Sequence, residues 1–250
     1  RRVRRWNATA ADYPLQLCLH ELIEQQVDRT PDAVAVVAVD RAATYAELDA
    51  RANQLARQLA ALGVGADVLV GVCMERGIEL EIALLAILKA GGAYVPLDPD
   101  YPPERLAFMI QDSGVALVLT ETSLLARLPA SQARPFCLDR EAAQWTRWSR
   151  ARQPSPARAD NLAYCIYTSG SSGRPKAAGN THRAAHNRLR WMQAAYPLTA
   201  SDRVLQKTPV SFDVSVWELF WPISNGATLV MATPGVQRDP AALAREIVDH

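Results

Sequence analysis

The sequence predicts an α/β fold in which layered, mainly parallel sheets are flanked by helices. Two observations lead to this prediction: short apolar runs alternate with segments of helical periodicity, and glycines and prolines separate them. No solenoid-type repeat is visible. With 250 residues, of which 49% are hydrophobic, the chain is long enough to bury a large core, so general disorder is excluded.

Helix-capping residues, glycines and prolines mark where the predicted elements in the first half of the chain begin and end. Thr44 and Glu47 form a capping box ahead of leucines at helical spacing, and Gly63 ends that helix. The glycines at 91–92 end the next helix, and the prolines at 102–103 open another. In order, this half is predicted to contain a helix over 19–27, a strand over 33–39, a helix over 44–62, a strand over 68–72, a helix over 78–89, a strand over 93–97, a helix from Pro102 and a strand over 115–120.

Residues 153–160 are rich in Pro, Ala and Arg, and they are predicted to form a surface joint between two lobes. The elements predicted after this joint are a strand over 162–167, a helix over 182–193, a strand near 204–206, a helix from Ser215, a strand over 228–231 and a helix from Asp239. Because no strand follows the last amphipathic helix, the chain is predicted to be a fragment of a larger protein.

Charge and hydropathy exclude several classes of function. The 27 Lys and Arg residues nearly balance the 26 Asp and Glu residues, so no overall field attracts nucleic acid or an acidic membrane. The apolar run over 82–88 is far shorter than the ~20 residues that cross a bilayer, and no secretory signal is visible. We therefore predict a cytoplasmic protein. The basic residues 1–5 can also be interpreted as a nucleic-acid or membrane tag, but a solvated linker is favoured.

Cysteine and histidine spacing does not indicate a metal site. The four cysteines contain no C-x-x-C pair, and Cys73 and Cys165 lie in apolar runs, where a thiol behaves as a small hydrophobe. His182 and His186 have the spacing of a zincin helix but lack its glutamate. We therefore predict neither a disulfide framework nor a bound metal.

The segment 162–176 is the strongest candidate for an anion site. An apolar strand ends in a loop that offers backbone N–H groups, hydroxyls and the charge of Lys176, which are the groups that bind a polyphosphate. Lysine is rare here, at three of the 27 basic residues, so phosphate binding is favoured over a flexible polar turn. The spacing fits neither a Walker A loop nor the dinucleotide fingerprint. The candidate residues are Thr168, Ser169, Gly170, Ser171, Ser172, Gly173 and Lys176.

A second candidate site lies at 211–218. Ser215 and Glu218 have the spacing of a capping box, which predicts a helix start and accounts for both residues. Asp213 has no such explanation. A carboxylate just before a helix, beside Phe212 and near Trp217, can bind the ammonium group of a ligand in an apolar recess. From this octapeptide alone, an aspartate bonded to solvent or nearby backbone is the more common outcome.

Five segments together carry a resemblance to a known family. In order they are 6–14, 30–33 with 44–48, 88–98, 162–176 and 212–215. The first resembles the segment that follows a condensation domain, and the others resemble four core motifs of adenylation domains of non-ribosomal peptide synthetases, within the adenylate-forming superfamily. The resemblance covers essentially all 250 residues. Four motifs in order are far more specific than any one of them.

The resemblance implies the domain organisation. Residues 1–14 would be a linker from a preceding condensation domain, and 15–250 the N-terminal portion of an AMP-binding adenylation domain. The adenine and ribose motifs, and the C-terminal lobe with its catalytic lysine, would lie beyond His250. We therefore assign no catalytic residue within the chain and expect this fragment to be inactive alone.

The resemblance also implies ligands and partners. The complete domain would use ATP and Mg²⁺ to activate an amino acid, and would pass it to phosphopantetheine on a carrier domain. The substrate-binding positions fall on Phe212, Asp213, Val214 and Trp217. Asp213 would bind the α-ammonium group, while the Asp-Val-Trp triplet resembles that of serine-activating domains, with threonine as the alternative.

One segment departs from the family pattern. Residues 177–180 read Ala-Ala-Gly-Asn where the family has glycine followed by β-branched residues, so the strand after the loop is expected to be weakened. Two other functions stay open at this point. An acyl-CoA or aryl-CoA ligase would have no ammonium group to bind, and a non-catalytic fragment could dock a condensation domain through its first ~30 residues.

Overall fold

The computed structural model describes residues 6–39, 41–169 and 174–250, which form an α/β fold as predicted. The α-helices are α1 (Leu19–Arg29), α2 (Tyr45–Ala61), α3 (Ile78–Ala90), α4 (Pro103–Ser113), α5 (Ala142–Thr146), α6 (His182–Ala195), α7 (Val214–Ser224) and α8 (Pro240–Asp249). The strands are β1 (Val34–Val37), β2 (Ala42–Thr44), β3 (Leu69–Cys73), β4 (Ala93–Pro96), β5 (Leu117–Thr120), β6 (Arg134–Cys137), β7 (Leu162–Thr168), β8 (Lys176–Thr181), β9 (Arg203–Gln206) and β10 (Thr228–Met231). Short 3₁₀ helices cover Thr122–Arg127 and Val236–Arg238.

The strands form two sheets, and most neighbours within them are parallel. The first sheet has the order β6-β5-β3-β4-β7-β8, with β8 antiparallel to β7. The second has the order β2-β1-β10-β9, with β2 antiparallel to β1. Because β1 pairs with β10, the second sheet joins strands from opposite ends of the described chain.

Local signals explain where the helices begin and end. The capping box predicted at the start of α2 is present: the Glu47 N–H donates to Thr44 Oγ1 at 3.2 Å, and the Thr44 N–H donates to Glu47 Oε2 at 2.9 Å. Gly63 and Gly91 follow α2 and α3 with φ of 91° and 96°, a left-handed conformation that glycine adopts without strain. Among the described residues, no helix is long and apolar enough to cross a membrane.

A buried network of charges joins three helices and the segment before β7. Lys89 of α3 is only 4% exposed, and it pairs with Glu24 of α1 and, at 2.7 Å, with Asp49 of α2. Arg152 donates from Nε to the same Asp49 carboxylate at 3.0 Å. Every charged side chain in this network has an oppositely charged partner, because a buried charge without a partner would destabilise the fold strongly.

One sequence prediction about organisation is wrong, and two strands were not predicted. The segment 153–160 does not separate two lobes, because β6 before it and β7 after it belong to one sheet. The strand after the loop is present despite its Ala-Ala-Gly-Asn sequence, since β8 pairs with β7 from Thr168↔Lys176 to Leu162↔Thr181. Strands β2 and β6 were not predicted; they have three and four residues and lie at sheet edges, where the periodic signal is weak and proline is tolerated.

Helix α3 is buried around its whole circumference, which places the carboxyl group of Glu81 in the core. Burial raises the pKa of Glu81 to about 8, and neither of its carboxyl oxygens has a hydrogen-bond partner among the described residues. The folded protein therefore keeps this proton at neutral pH, whereas the unfolded chain loses it near the ordinary pKa of 4.5.

Replacing Glu81 with glutamine is expected to raise stability more at pH 7.5 than at pH 5. Because folding raises the pKa of Glu81, the free energy of unfolding falls as the pH rises from the unfolded-state pKa to the folded-state pKa. A glutamine at this position does not titrate, so it removes that fall. The difference should be roughly 3 kcal/mol between these two pH values, at about 1.4 kcal/mol per pKa unit. Urea unfolding of both proteins measures it, with the exposed Glu104→Gln as the charge control; equal pH slopes in wild type and Glu81→Gln would contradict it.

Candidate active site

The described ends of the predicted phosphate loop belong to the β7–β8 hairpin. Strand β7 is buried from Ala163 to Tyr167, and exposure begins at Thr168 and Ser169, just beyond the carboxyl end of the buried segment. Lys176 is exposed and faces Thr168 in the strand pairing. This end of the hairpin therefore presents two hydroxyls and the cation of Lys176, with the exposed Arg174 two residues before it. The predicted residues Gly170, Ser171, Ser172 and Gly173 lie outside the described residues.

The second candidate site lines a cavity of about 350 Å³. Asp213 is the residue before α7, and it lies in the cavity wall with Val214 and Trp217 from the first turns of that helix. Phe212 does not line this cavity, and 58% of its surface is exposed. Three of the four predicted substrate residues are thus brought together.

The opposite wall of this cavity comes from the β7–β8 hairpin and α6, and sequence reasoning missed it. Tyr164 and Asn180 are paired across the hairpin, and Arg188 follows on α6. Tyr164 and Thr168 are on the same strand, so the cavity and the hairpin tip are separated by roughly 13 Å of strand at 3.3 Å per residue. One hairpin therefore connects the anion site to the carboxylate site.

Burial raises the pKa of the Tyr164 phenol to about 12, and the nearby negative charge of Asp213 acts in the same direction. The phenol therefore keeps its proton at neutral pH and can donate it in a hydrogen bond. The wall of the cavity combines the Asp213 carboxylate and the Arg188 guanidinium with apolar and neutral polar groups, so a cationic group of a small ligand can bind at the carboxylate.

The predicted capping box of Ser215 and Glu218 is wrong. Helix α7 begins at Val214, so Glu218 is the fifth helical residue, two beyond the position that a capping box requires. Its buried carboxylate accepts the N–H groups of Lys207 and Thr208 at 3.1 and 2.9 Å, and the Thr208 hydroxyl at 2.6 Å. Ser215 instead donates its hydroxyl to the Phe212 carbonyl at 2.7 Å. Both residues fix the segment that precedes α7.

Arg76 is a second residue that sequence reasoning missed. It follows β3 of the first sheet, and its guanidinium donates to Gln206 Oε1 and to the Lys207 carbonyl oxygen of the second sheet, each at 2.6 Å. The arginine therefore connects the two sheets by hydrogen bonds beside the segment 207–213. An arginine after a strand gives no signal in the sequence that could have revealed this role.

Cys18, His20 and His182 form a buried cluster whose possible ligand atoms lie within 4.8 Å of one another. His182 Nδ1 accepts the Leu19 N–H at 3.2 Å, so the neutral ring carries its proton on Nε2 and offers no free lone pair there. Burial lowers the pKa of His182 to about 4 and raises that of Cys18 to about 12. The cluster therefore packs as neutral side chains between α1 and α6.

Most of this chain matches a known protein family. Residues 23–250 match the model of the AMP-binding enzyme family. The chain belongs to this family. Tyrocidine synthase 3 of Brevibacillus parabrevis is 46% identical over 98% of this chain, which covers 4% of that protein. Zwittermicin A synthase ZmaJ of Bacillus cereus is 45% identical over 92% of this chain and 43% of that protein.

Solved structures confirm the fold. The peptide synthetase FmoA3, in a form bound to α-methyl-L-serine-AMP, superposes with a TM-score of 0.91 at 35% identity; the match covers this whole chain and 28% of that chain. The N-terminal subdomain of Klebsiella oxytoca NpsA superposes with a TM-score of 0.83 at 27% identity, over 95% of this chain and 60% of that subdomain. The chain therefore has the fold of the N-terminal lobe of adenylate-forming enzymes, and its type is the AMP-binding domain of peptide synthetase adenylation domains.

Proposed function

We propose that this chain is the N-terminal part of an adenylation domain that activates an amino acid, with serine as the favoured substrate. The observation that carries the proposal is the shared hairpin: the cation of Lys176 lies at its tip, and Tyr164 at its base lines the same cavity as Asp213. A phosphate site at the tip of a hairpin whose base lines the ammonium site can hold two substrates in a fixed relative position.

The proposed reaction joins the two substrates at phosphorus. The carboxylate of the amino acid attacks the α-phosphorus of ATP, a new P–O bond forms, and pyrophosphate leaves with the electrons of the bond that breaks. Thr168, Ser169 and Lys176 would hold phosphate oxygens, and Asp213 would hold the ammonium group away from the reacting carboxylate. Mg²⁺, when bound, would neutralise phosphate charge.

The whole protein would extend beyond this lobe. The curated relatives are longer than this chain, which spans 4% of tyrocidine synthase 3 and 43% of ZmaJ. We propose that the complete adenylation domain is cytoplasmic, acts after a condensation domain, and transfers the activated amino acid to the phosphopantetheine thiol of a carrier domain. The catalytic lysine and the nucleoside contacts would come from outside these 250 residues, so this chain alone would form no adenylate.

Two observations support serine as the substrate. The Trp217 indole and the branched Val214 side chain line the cavity with Asp213, and bulky groups beside the carboxylate favour a substrate with a small side chain. FmoA3, a relative of the same fold, has been solved with α-methyl-L-serine-AMP. Threonine is the runner-up because it differs from serine by one methyl group.

Amino-acid-dependent ATP–pyrophosphate exchange by the complete adenylation domain tests this proposal. Serine should give the highest rate and threonine a rate about 10 to 200 times lower, since one methylene is worth ~1–3 kcal/mol in discrimination. Phenylalanine and leucine should give none above background. A preference for either of them would reject the proposed pocket, and exchange with aryl or fatty acids but no amino acid would favour a CoA ligase.

A further inference from the structure

We propose that Ser211 is a positioning residue for Asp213, held by a hydrogen-bond chain from the neighbouring sheet. This inference rests on the proposed function, because it concerns the carboxylate that would bind the substrate ammonium group. It assigns a role in amino-acid binding to the turn between β4 and α4, which does not line the cavity of Asp213.

The chain has two links across the boundary between the sheets. The Tyr101 hydroxyl donates to Ser211 Oγ at 3.1 Å, and the Ser211 hydroxyl donates to Asp98 Oδ2 at 3.2 Å. A serine hydroxyl can accept one hydrogen bond while it donates another, so it fits between a phenol and a carboxylate. The direction of donation is the same in both links, which polarises each bond toward the aspartate.

The turn that holds Ser211 is itself fixed. Asp98 Oδ1 accepts the N–H of Asp100 at 3.0 Å, and the Arg105 guanidinium carbon lies 3.8 Å from the centroid of the Tyr101 ring. Cation–π contact at this distance restrains the ring whose hydroxyl begins the chain. Ser211 is therefore bonded to two groups that cannot easily follow it if it moves.

The backbone transmits this restraint to Asp213. The segment 207–213 is held at its start by Glu218 and near its end by the Ser215 hydroxyl and by Ser211, which is two residues before the aspartate and is the residue that ties the segment to the neighbouring sheet. Asp213 makes no side-chain capping bond to α7. The position of its carboxylate therefore depends on the backbone between Ser211 and Val214, and freeing Ser211 should loosen it.

A serine in this position adds little to the core. Ser211, Asp98 and Tyr101 are all partly exposed, so water can replace the hydroxyl as their partner if it is removed. Its loss should therefore change the fold less than it changes the position of Asp213. This difference separates a positioning role from a purely structural one.

The test compares Ser211→Ala, Ser211→Thr and Tyr101→Phe in the complete adenylation domain. In pyrophosphate exchange, Ser211→Ala should raise the KM for serine about tenfold and leave the KM for ATP within about twofold. Ser211→Thr keeps the hydroxyl and should restore the wild-type KM. Tyr101→Phe should raise the KM for serine less, and should add nothing when combined with Ser211→Ala, because the phenol acts through that hydroxyl. Ser131→Ala, an exposed serine before β6, is the matched control.

Three outcomes would overturn the inference: an unchanged KM for serine in Ser211→Ala, an equal rise in the KM for both substrates, or no rescue by threonine. Thermal unfolding of each variant reports the fold. If Ser211→Ala does not fold, Tyr101→Phe decides the question, because it removes only the first link and keeps the aromatic ring. Failure of the proposed function is distinct, since the wild-type domain would then show no amino-acid-dependent exchange at all.

Discussion

Asp213→Ala in the complete adenylation domain is expected to lower amino-acid-dependent pyrophosphate exchange by more than about 100-fold. The variant would leave the substrate ammonium group in a cavity walled by Trp217 and Val214 without its carboxylate partner. Asp213 is exposed in this lobe, so the ion pair is desolvated only once the amino acid fills the cavity; removing one member of such a desolvated pair costs ~3–5 kcal/mol, because the remaining charge stays unpaired. The loss should appear mainly as a raised KM for the amino acid, with the KM for ATP changed little.

Two controls separate the charge from the fold. Asp213→Asn keeps the shape of the side chain and should also lose most activity, because the amide carries no charge. Asp32→Ala removes an exposed aspartate before β1 and should have wild-type exchange. Wild-type activity in both Asp213 variants would contradict the ammonium role and would favour a ligase for acids without an amino group.

The order of helices and strands could be predicted because most boundaries carry local signals. The helix over Tyr45–Ala61 begins at a capping box of side chains three residues apart, and ends before a glycine with positive φ. Such signals depend only on residues that are close in the sequence, so they can be recognised without knowing the tertiary contacts. Parallel pairing followed from the alternation of strand and helix, since parallel strands need a crossover between them.

The failures have one physical cause, which is that tertiary contacts override local patterns. Glu218 has capping-box spacing, but its carboxylate accepts the N–H groups of Lys207 and Thr208, which directly follow β9. The predicted joint over 153–160 has the composition of an exposed connector, yet Arg152, the residue directly before it, reaches the buried Asp49 with its guanidinium. Neither partner lies within the same local segment, so periodicity and composition could not reveal them.

The candidate site was predicted in part for the same reason. Asp213, Val214 and Trp217 are close in the sequence, and a helix start brings them to one wall. The opposite wall, with Tyr164 and Asn180, comes from a hairpin about 50 residues earlier in the chain, and strand pairing decides which of its residues face the cavity. The family resemblance identified the phosphate motif and the substrate motif, but only the fold shows that one hairpin contributes residues to both candidate sites.

Lys176→Ala is expected to raise the KM for ATP by roughly 10- to 100-fold in the complete adenylation domain, while the KM for the amino acid changes little. The lysine is exposed at the start of β8, so its removal takes a charge from the hairpin tip and no packing from the core. A charge-assisted bond to phosphate is about twice as strong as a neutral one, so the loss should exceed that of Ser171→Ala, whose hydroxyl is neutral.

The design of this experiment has to separate phosphate binding from general surface charge. Arg127→Ala removes an exposed cation from the 3₁₀ helix before β6 and should leave the KM for ATP unchanged. Lys176→Arg should recover part of the affinity for ATP, because arginine keeps the positive charge but differs from lysine in the shape and length of the side chain. Raising the salt concentration should weaken ATP binding more in wild type than in Lys176→Ala, since screening acts on a charge that the variant lacks. Unchanged exchange in Lys176→Ala would show that the hairpin tip does not hold the phosphates, and the ATP site would then have to lie elsewhere on the lobe.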